Sequence, residues 1–134
     1  MTNAVESVSF TAAATVEALG SVRRLVVAAV DALDVGIDED LVAVLTSEVF
    51  TNAVQADSRD VFVQVTRFAG PTVRVAVVDH GCGWPAMANP APLDEAGGRG
   101  LLIVDTLAHA WGAVTDGESG TTTVWFEVAP DAPA

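Results

Sequence analysis

The chain has 134 residues, about half of them hydrophobic, and its 18 acidic and 6 basic residues give a formal net charge of −12. This length predicts one domain with a sizeable core, and the acidic balance argues against nucleic-acid binding through phosphate contacts. The sequence has no apolar run that could span a membrane, no signal-peptide pattern at its start and only one cysteine, so we expect a cytoplasmic protein without an internal disulfide.

A strand and a helix are the first predicted elements. Val8 and Phe10 alternate with polar neighbours, which predicts a short strand. Apolar residues at helical spacing from Thr15 to Leu33 predict the first helix, and Gly36 is placed to end it. Asp38 is placed to cap a second helix, because its side chain can accept hydrogen bonds from the first free amides of that helix.

The second helix, Leu41 to Ala56, carries two polar residues at the edge of its apolar stripe. The stripe is formed by Leu41, Val44, Leu45, Val49 and Ala53. Glu48 and Asn52 lie four residues apart, so both side chains point the same way. A carboxylate and an amide held against a core need a metal ion, a water, a ligand or another side chain to satisfy them. One interpretation gives Asn52 to a hard cation such as Mg²⁺ and makes Glu48 a general base, and the other leaves both side chains in solvent.

Two strands and a long loop follow. Asp60–Phe68 and Thr72–Asp79 alternate polar and apolar residues, and Ala69-Gly70-Pro71 between them indicates a hairpin turn. The stretch from His80 to Gly100 is rich in Gly, Pro and Ala and has no periodicity. It is long for a connection in a compact domain, which favours a functional loop or lid.

The start of this loop is a candidate ligand site. Asp79 can accept a hydrogen bond from an exocyclic amine, and Gly81 and Gly83 let a ligand approach the backbone. The alternative is an ordinary turn that uses Asp and Gly for conformational reasons. His80 and Cys82 fall short of a zinc pattern because no second pair of ligands accompanies them.

The end of the loop is a second candidate, at the start of a helix predicted near Gly98–Gly100. Glycines before a helix expose amide donors to an anion, and Arg99 adds a charge, although the same residues also suit a flexible loop end. A final hairpin pairs Trp111–Thr115 with Thr121–Val128. Threonine hydroxyls at the start of its second strand can hold a water or a base edge, or they reflect the strand preference of threonine.

These elements predict an α/β (α+β) two-layer sandwich, with a mixed, mostly antiparallel sheet covered on one face by about three helices. The order of the four candidate places resembles the GHKL ATP-binding (Bergerat) fold of gyrase, histidine kinases, MutL and a heat-shock chaperone. The closest likeness is to its RsbW/SpoIIAB-like branch, the anti-sigma factor serine/threonine kinases of actinobacterial type. SEVFTNAV resembles the asparagine box of that branch, VVDHGCGWP its first glycine box, GGRGLLIVDTLAHAWG its second glycine region and TTTVWFEV its last strand.

The resemblance implies a single histidine kinase-like ATPase domain over residues 1–134, ordered from about 5 to 128, with ATP and Mg²⁺ as cofactors. By position, Glu48 would be the general base or water-orienting carboxylate, and Asn52 the Mg²⁺ ligand. Asp79 would contact the adenine amine, and Gly81 and Gly83 would belong to the same cofactor-binding loop, with Gly83 beneath the base.

The phosphates and the adenine-bound water would be met further along the chain. The residues implied at the phosphates, through amides and a guanidinium, are Gly98, Arg99, Gly100 and Leu101. The residue implied at the water is Thr122 or Thr123, because three consecutive threonines leave the register open.

The resemblance leaves two functions open. The first is an ATP-dependent kinase that phosphorylates a small antagonist protein (STAS domain), sequesters a sigma factor, or does both, and so regulates transcription. The second is a non-catalytic regulatory module of the same fold, with or without bound ATP. Ala56, where many relatives carry histidine, and a lid with no basic residue apart from Arg99 motivate the second. Gln55, where the branch often has arginine, is a further departure. No direct contact with nucleic acid or membrane is expected, and a homodimer is compatible with the branch.

Overall fold

We describe the fold from a computed structural model, which describes residues 6–55, 59–68, 71–79, 96–118 and 120–130. Between residues 96 and 118, side chains are described from residue 102 onward. The elements in chain order are β1 (Glu6–Ala13), a 3₁₀ turn (Val16–Ala18), α1 (Leu19–Ala32), α2 (Glu39–Gln55), β2 (Asp60–Arg67), β3 (Val73–Asp79), α3 (Ala96–Leu107), β4 (Ala110–Asp116) and β5 (Thr121–Val128). Within these ranges no helix combines the length and the apolar character that crossing a membrane requires.

The five strands form one sheet in the order β1-β2-β3-β5-β4. Every neighbouring pair in it is antiparallel, so the predicted α+β sandwich is confirmed and no parallel pair occurs among the described strands. The last hairpin inserts β5 beside β3 and leaves β4 at the edge. Asp79, at the end of β3, therefore lies directly beside the start of β5.

One face of the sheet is packed against the helices. Alternate residues of β2, β3 and β5 are buried, and they are almost all valines, whose branched side chains suit a pleated surface. The buried members of this face are Val61, Val63, Val65, Val73, Val75, Val77, Val124, Phe126 and Val128. Each contributes roughly 1.5–3 kcal/mol by leaving water.

The end of α1 differs from the predicted position. The helix ends at Ala32, and Asp34, rather than Gly36, takes the left-handed conformation next to its cap, with φ of 56°. Aspartate adopts this conformation more readily than most residues. Gly36 is also left-handed, with φ of 72°, but it lies in the loop beyond the helix.

The start of α2 agrees with the prediction, and its buried stripe agrees in part, because Leu45, Val49 and Ala53 are buried as predicted and Val44 is not. The carboxylate oxygen Oδ1 of Asp38 accepts hydrogen bonds from the amides of Asp40 and Leu41 at 2.9 and 3.4 Å, so the predicted N-cap is confirmed. The buried side chains are Val42, Leu45, Thr46, Val49, Phe50, Asn52 and Ala53. Val44 is 42% exposed, because it lies on a different side of α2 from the residues that pack against the sheet.

The third helix, α3, packs on α2 and begins at Ala96, ahead of the predicted start near Gly98–Gly100. Glycine disfavours a helix interior by about 1 kcal/mol, which is why its glycines indicated a later start. Val104 of α3 is fully buried, and the indole nitrogen of Trp111 on β4 donates to the Asp105 carboxylate at 2.9 Å. The hydrogen bond between Asp105 and Trp111 joins α3 to β4, the strand at one edge of the sheet.

Candidate functional site

A row of polar side chains crosses the helix-facing side of the sheet at one end, from buried positions on β3 and β5 to an exposed position on the edge strand β4. Asp79 on β3 lies opposite Thr122 on β5, and Thr122 lies opposite Thr115 on β4. Asp79 is 2% and Thr122 4% exposed, and the hydroxyl oxygens of Thr115 and Thr122 are 3.4 Å apart. Asp79 and Thr122 are each two residues from a buried valine of the same strand, so their side chains lie on the face of the sheet that the helices cover.

The alternation of side chains along β5 distinguishes Thr122 from Thr123, between which the sequence could not decide. Thr122 shares its face of the sheet with Asp79 and is buried. Thr123 lies opposite Val78 and Val114, on the face that the helices do not cover. Successive residues of a strand point to opposite faces, so only Thr122 can act together with Asp79.

Helix α2 ends near this row. Only residues 56–59 separate Gln55 from Asp60 on β2, and the five Cα–Cα steps between the two residues span at most about 18 Å. The next residue of β2, Val61, lies opposite Asp79. The C-terminal turns of α2, which hold Asn52, therefore lie at the same end of the sheet as Asp79 and Thr122.

Asn52 is a buried amide that is not satisfied within the described chain. Its side chain is 7% exposed, and its Nδ2 has no hydrogen-bond partner among the described residues. Leaving such an atom unpaired costs about 1–3 kcal/mol. The nitrogen and oxygen of an amide are assigned from their partners, and a ligand can be met by either atom. An unpaired amide at this end of the sheet fits a group that binds beside α2.

Glu48 lies one turn before Asn52 and is half-buried. A spacing of four residues keeps the two side chains on adjacent parts of one helix surface. The structure thus places Asn52, Asp79 and Thr122 at the same end of the sheet, with Glu48 one turn before Asn52 on α2. Their roles at a ligand stay predictions.

The second glycine region lies on the first turns of α3. Gly98 is in the first turn, whose amides have no carbonyl partner within a helix, whereas Gly100 and Leu101 lie in the second turn. The side chains of Arg99 and Leu101 lie outside the described part of the chain. Gly81 and Gly83, with His80, Cys82 and the rest of the loop up to residue 95, lie outside the described residues.

Thr115 belongs to the row and was not singled out from the sequence. Its position follows from the hairpin, because the turn between β4 and β5 pairs Thr115 with Thr122. The sequence therefore contained the information that places Thr115 beside Thr122, but using it required the register of the hairpin.

A family model described as "Histidine kinase-like ATPase domain" matches residues 12–127. In fold, the chain is similar to the crystal structure of the RsbU and RsbW domains of Rv1364c from Mycobacterium tuberculosis, with a TM-score of 0.66 and 20% sequence identity. That match covers 96% of this chain and 34% of the other, so this chain spans about a third of the length of that structure. A search among curated proteins finds no match.

Proposed function

The chain belongs to the histidine kinase-like ATPase domain family, and we propose that it is an ATP-dependent anti-sigma factor serine/threonine kinase. In this proposal it phosphorylates a serine of a small antagonist protein of the STAS type, sequesters a sigma factor, or does both. The family implies ATP binding. The observation that carries the proposal is Asn52, a buried amide whose nitrogen has no partner among the described residues and which lies at the end of the sheet that holds Asp79 and Thr122.

Asp79 and Thr122 suit recognition of adenine. A carboxylate only accepts hydrogen bonds when ionised, so Asp79 would accept from the exocyclic amine of adenine and would disfavour guanine, which has a carbonyl at that position. The hydroxyl of Thr122 both donates and accepts, so it would hold a water beside the base. The burial of both groups makes an unmatched base costly, which is a physical basis for selectivity.

Asn52 and Glu48 suit the reacting end of the nucleotide. Asn52 would supply one oxygen ligand to Mg²⁺, an ion that prefers oxygen ligands and keeps several waters. Glu48 would accept the proton of the attacking serine hydroxyl or orient it. ATP with Mg²⁺ supplies the phosphoryl group and the charge neutralisation when bound, and the protein contributes mainly position.

The test combines nucleotide binding with phosphoryl transfer. The wild type is expected to melt at a higher temperature with Mg-ATP and to form phosphoserine on a candidate STAS-domain antagonist. Glu48→Gln is expected to keep the Mg-ATP stabilisation and to lose about 10²- to 10⁴-fold in transfer rate, the contribution of a general base. A wild type that phosphorylates no antagonist, with Glu48→Gln indistinguishable from it, would remove the kinase proposal.

A matched control is available at the opposite end of the sheet. Asp34 is exposed and lies next to Leu33, whose carbonyl accepts a hydrogen bond from Arg67 at the far end of β2. Asp34→Asn makes the same acid-to-amide change as Glu48→Gln, and asparagine tolerates the left-handed conformation of that position. This control should leave both Mg-ATP binding and transfer unchanged.

The second candidate is a regulatory module that binds ATP, or no nucleotide, and sequesters its partner by surface contact. It is favoured by Gln55, an exposed residue on the last turn of α2 where the kinase branch often has arginine. Mg-ATP stabilisation without transfer would support the ATP-binding form of this module. An unchanged melting temperature with Mg-ATP would leave only the nucleotide-free form.

A further inference from the structure

Thr115 is the member of the polar row that has no part in the function proposed above. It lies on the edge strand β4, opposite Thr122, and Thr122 in turn lies opposite Asp79 on β3. Asp79 and Thr122 are buried, whereas Thr115 is exposed. The row thus runs from solvent at the edge of the sheet to a buried carboxylate, and Thr122 stands in its middle.

The hydroxyl of Thr122 has one proton and two lone pairs to share among its neighbours. Its oxygen is 3.4 Å from the hydroxyl oxygen of Thr115, in a part-buried contact. This separation is longer than the roughly 2.8 Å of a strong hydroxyl–hydroxyl bond. Such a bond strengthens when the accepting hydroxyl also donates to a further group, because neighbouring hydrogen bonds polarise one another.

The neighbours of Thr122 favour one direction for its proton. On the inner side of the row, an ionised Asp79 offers lone pairs and no proton. If Thr115 donates to Thr122 from the outer side, Thr122 keeps its own proton for the inner side. The reverse direction would turn the Thr122 proton outward and leave acceptors facing each other across the inner side, which is costly where both groups are buried.

We propose that Thr115 is a positioning residue for adenine recognition, which donates to Thr122 and so fixes the direction of a chain of hydrogen bonds. The inference rests on the proposed function, in which Thr122 holds a water beside the base. Thr122 then donates to this water, and the water donates one proton to Asp79 and the other to ring nitrogen N1. N1 of adenine accepts a hydrogen bond, whereas N1 of guanine carries a hydrogen and donates. A chain with this direction therefore selects adenine at N1.

The choice of nucleotide separates recognition at N1 from recognition at the exocyclic amine. In 1-deaza-ATP a C–H group replaces N1 and the amine is kept, so Asp79 retains its partner and the water loses its acceptor. The dissociation constant of 1-deaza-ATP divided by that of ATP therefore measures the bond at N1. The wild type should prefer ATP by about tenfold, which corresponds to one hydrogen bond in a buried site.

Thr115→Val removes the outer donor and keeps the size of the side chain, and valine suits a strand. A methyl group then stands where the donating hydroxyl stood, so the proton of Thr122 is no longer directed inward. The preference for ATP should fall to about two- to threefold, because ATP binds more weakly and 1-deaza-ATP binds as before. Thr115→Ser keeps the donor and should restore the wild-type ratio. A purely structural contribution of Thr115 would weaken both nucleotides equally and leave the ratio unchanged.

Thr66→Val is the matched control at another cross-strand pair of hydroxyls. The hydroxyl oxygens of Thr66 on β2 and Ser7 on the edge strand β1 are 3.3 Å apart. This pair lies at the far end of β2 from Val61, the residue opposite Asp79, and on the face that the helices do not cover. The same threonine-to-valine change should therefore leave the nucleotide ratio at its wild-type value.

Isothermal titration calorimetry with Mg²⁺ present gives both dissociation constants for each protein. A Thr115→Val variant with the wild-type ratio, or a Thr115→Ser variant no better than Thr115→Val, overturns the role of Thr115 and leaves the nucleotide site standing. A ratio that Thr66→Val lowers as far as Thr115→Val does, or a wild type that binds ATP and 1-deaza-ATP equally well, overturns it too. A wild type that binds neither nucleotide overturns the proposed function and this inference together.

Discussion

Replacing Asn52 by leucine should stabilise the nucleotide-free protein and remove its response to Mg-ATP. The amide nitrogen of Asn52 is buried without a partner in the described chain, and an unpaired buried polar atom costs about 1–3 kcal/mol. Leucine has a similar shape and no polar atom. Asn52→Leu should therefore raise the free energy of unfolding by about 1 kcal/mol and the melting temperature by about 3–5 °C.

Mg-ATP should reverse this order of stability. At a nucleotide concentration about 100 times the dissociation constant, binding stabilises the wild type by about 2.7 kcal/mol. Asn52→Leu lacks the oxygen that we assign to Mg²⁺, so it should gain little. The wild type would then be the more stable protein by roughly 2 kcal/mol, and calorimetry or thermal melts with and without Mg-ATP would show the two curves exchanging order.

Thr46→Val is the matched control on the same helix. Thr46 is fully buried, and its Oγ1 likewise has no partner among the described residues, but it lies six residues before Asn52, away from the polar row. Removing its hydroxyl should raise the nucleotide-free stability by about 1 kcal/mol and leave the full Mg-ATP increment in place. An Asn52→Leu variant that is less stable without nucleotide, or that retains the Mg-ATP increment, would refute the assignment of Asn52 to a ligand.

Three further predictions test the register, the packing and the capping of the fold. Thr122→Val should weaken ATP binding about tenfold in a titration, while Thr123→Val, on the opposite face of the sheet, should leave it unchanged. Gly112→Ala should lower the free energy of unfolding by about 1–3 kcal/mol, since a Cβ there would lie 2.8 Å from the Trp125 ring, and an unchanged denaturation midpoint would contradict that packing. Asp38→Ala should cost about 1 kcal/mol in chemical denaturation by removing the N-cap of α2, and a variant as stable as the wild type would show the cap to be unimportant.

The strands were predictable because one physical rule decides them. A half-buried strand needs alternation of period two, and β2, β3 and β5 have it, with valine at most buried positions. The start of α2 was predictable for a similar reason, since Asp38 supplies its cap locally. Both signals depend on residues that are close in sequence.

The buried stripe of α2 was not predictable in the same way. Leu41, Val42, Val44 and Leu45 make its first turns apolar almost all round, so two stripes fit the sequence about equally well. Contact with the sheet selects the one that contains Val42. The choice depends on tertiary packing, to which local periodicity is blind.

The candidate site shows the same division between local and tertiary signals. Asp79 and Asn52 stood out because polar residues at the end of a strand and on an apolar helix are conspicuous. The choice between Thr122 and Thr123 was open because the three consecutive threonines, Thr121 to Thr123, leave the register of this contact undecided. Val124, Phe126 and Val128 already share the phase of Thr122, and the pairing with β3 establishes that this phase faces the helices.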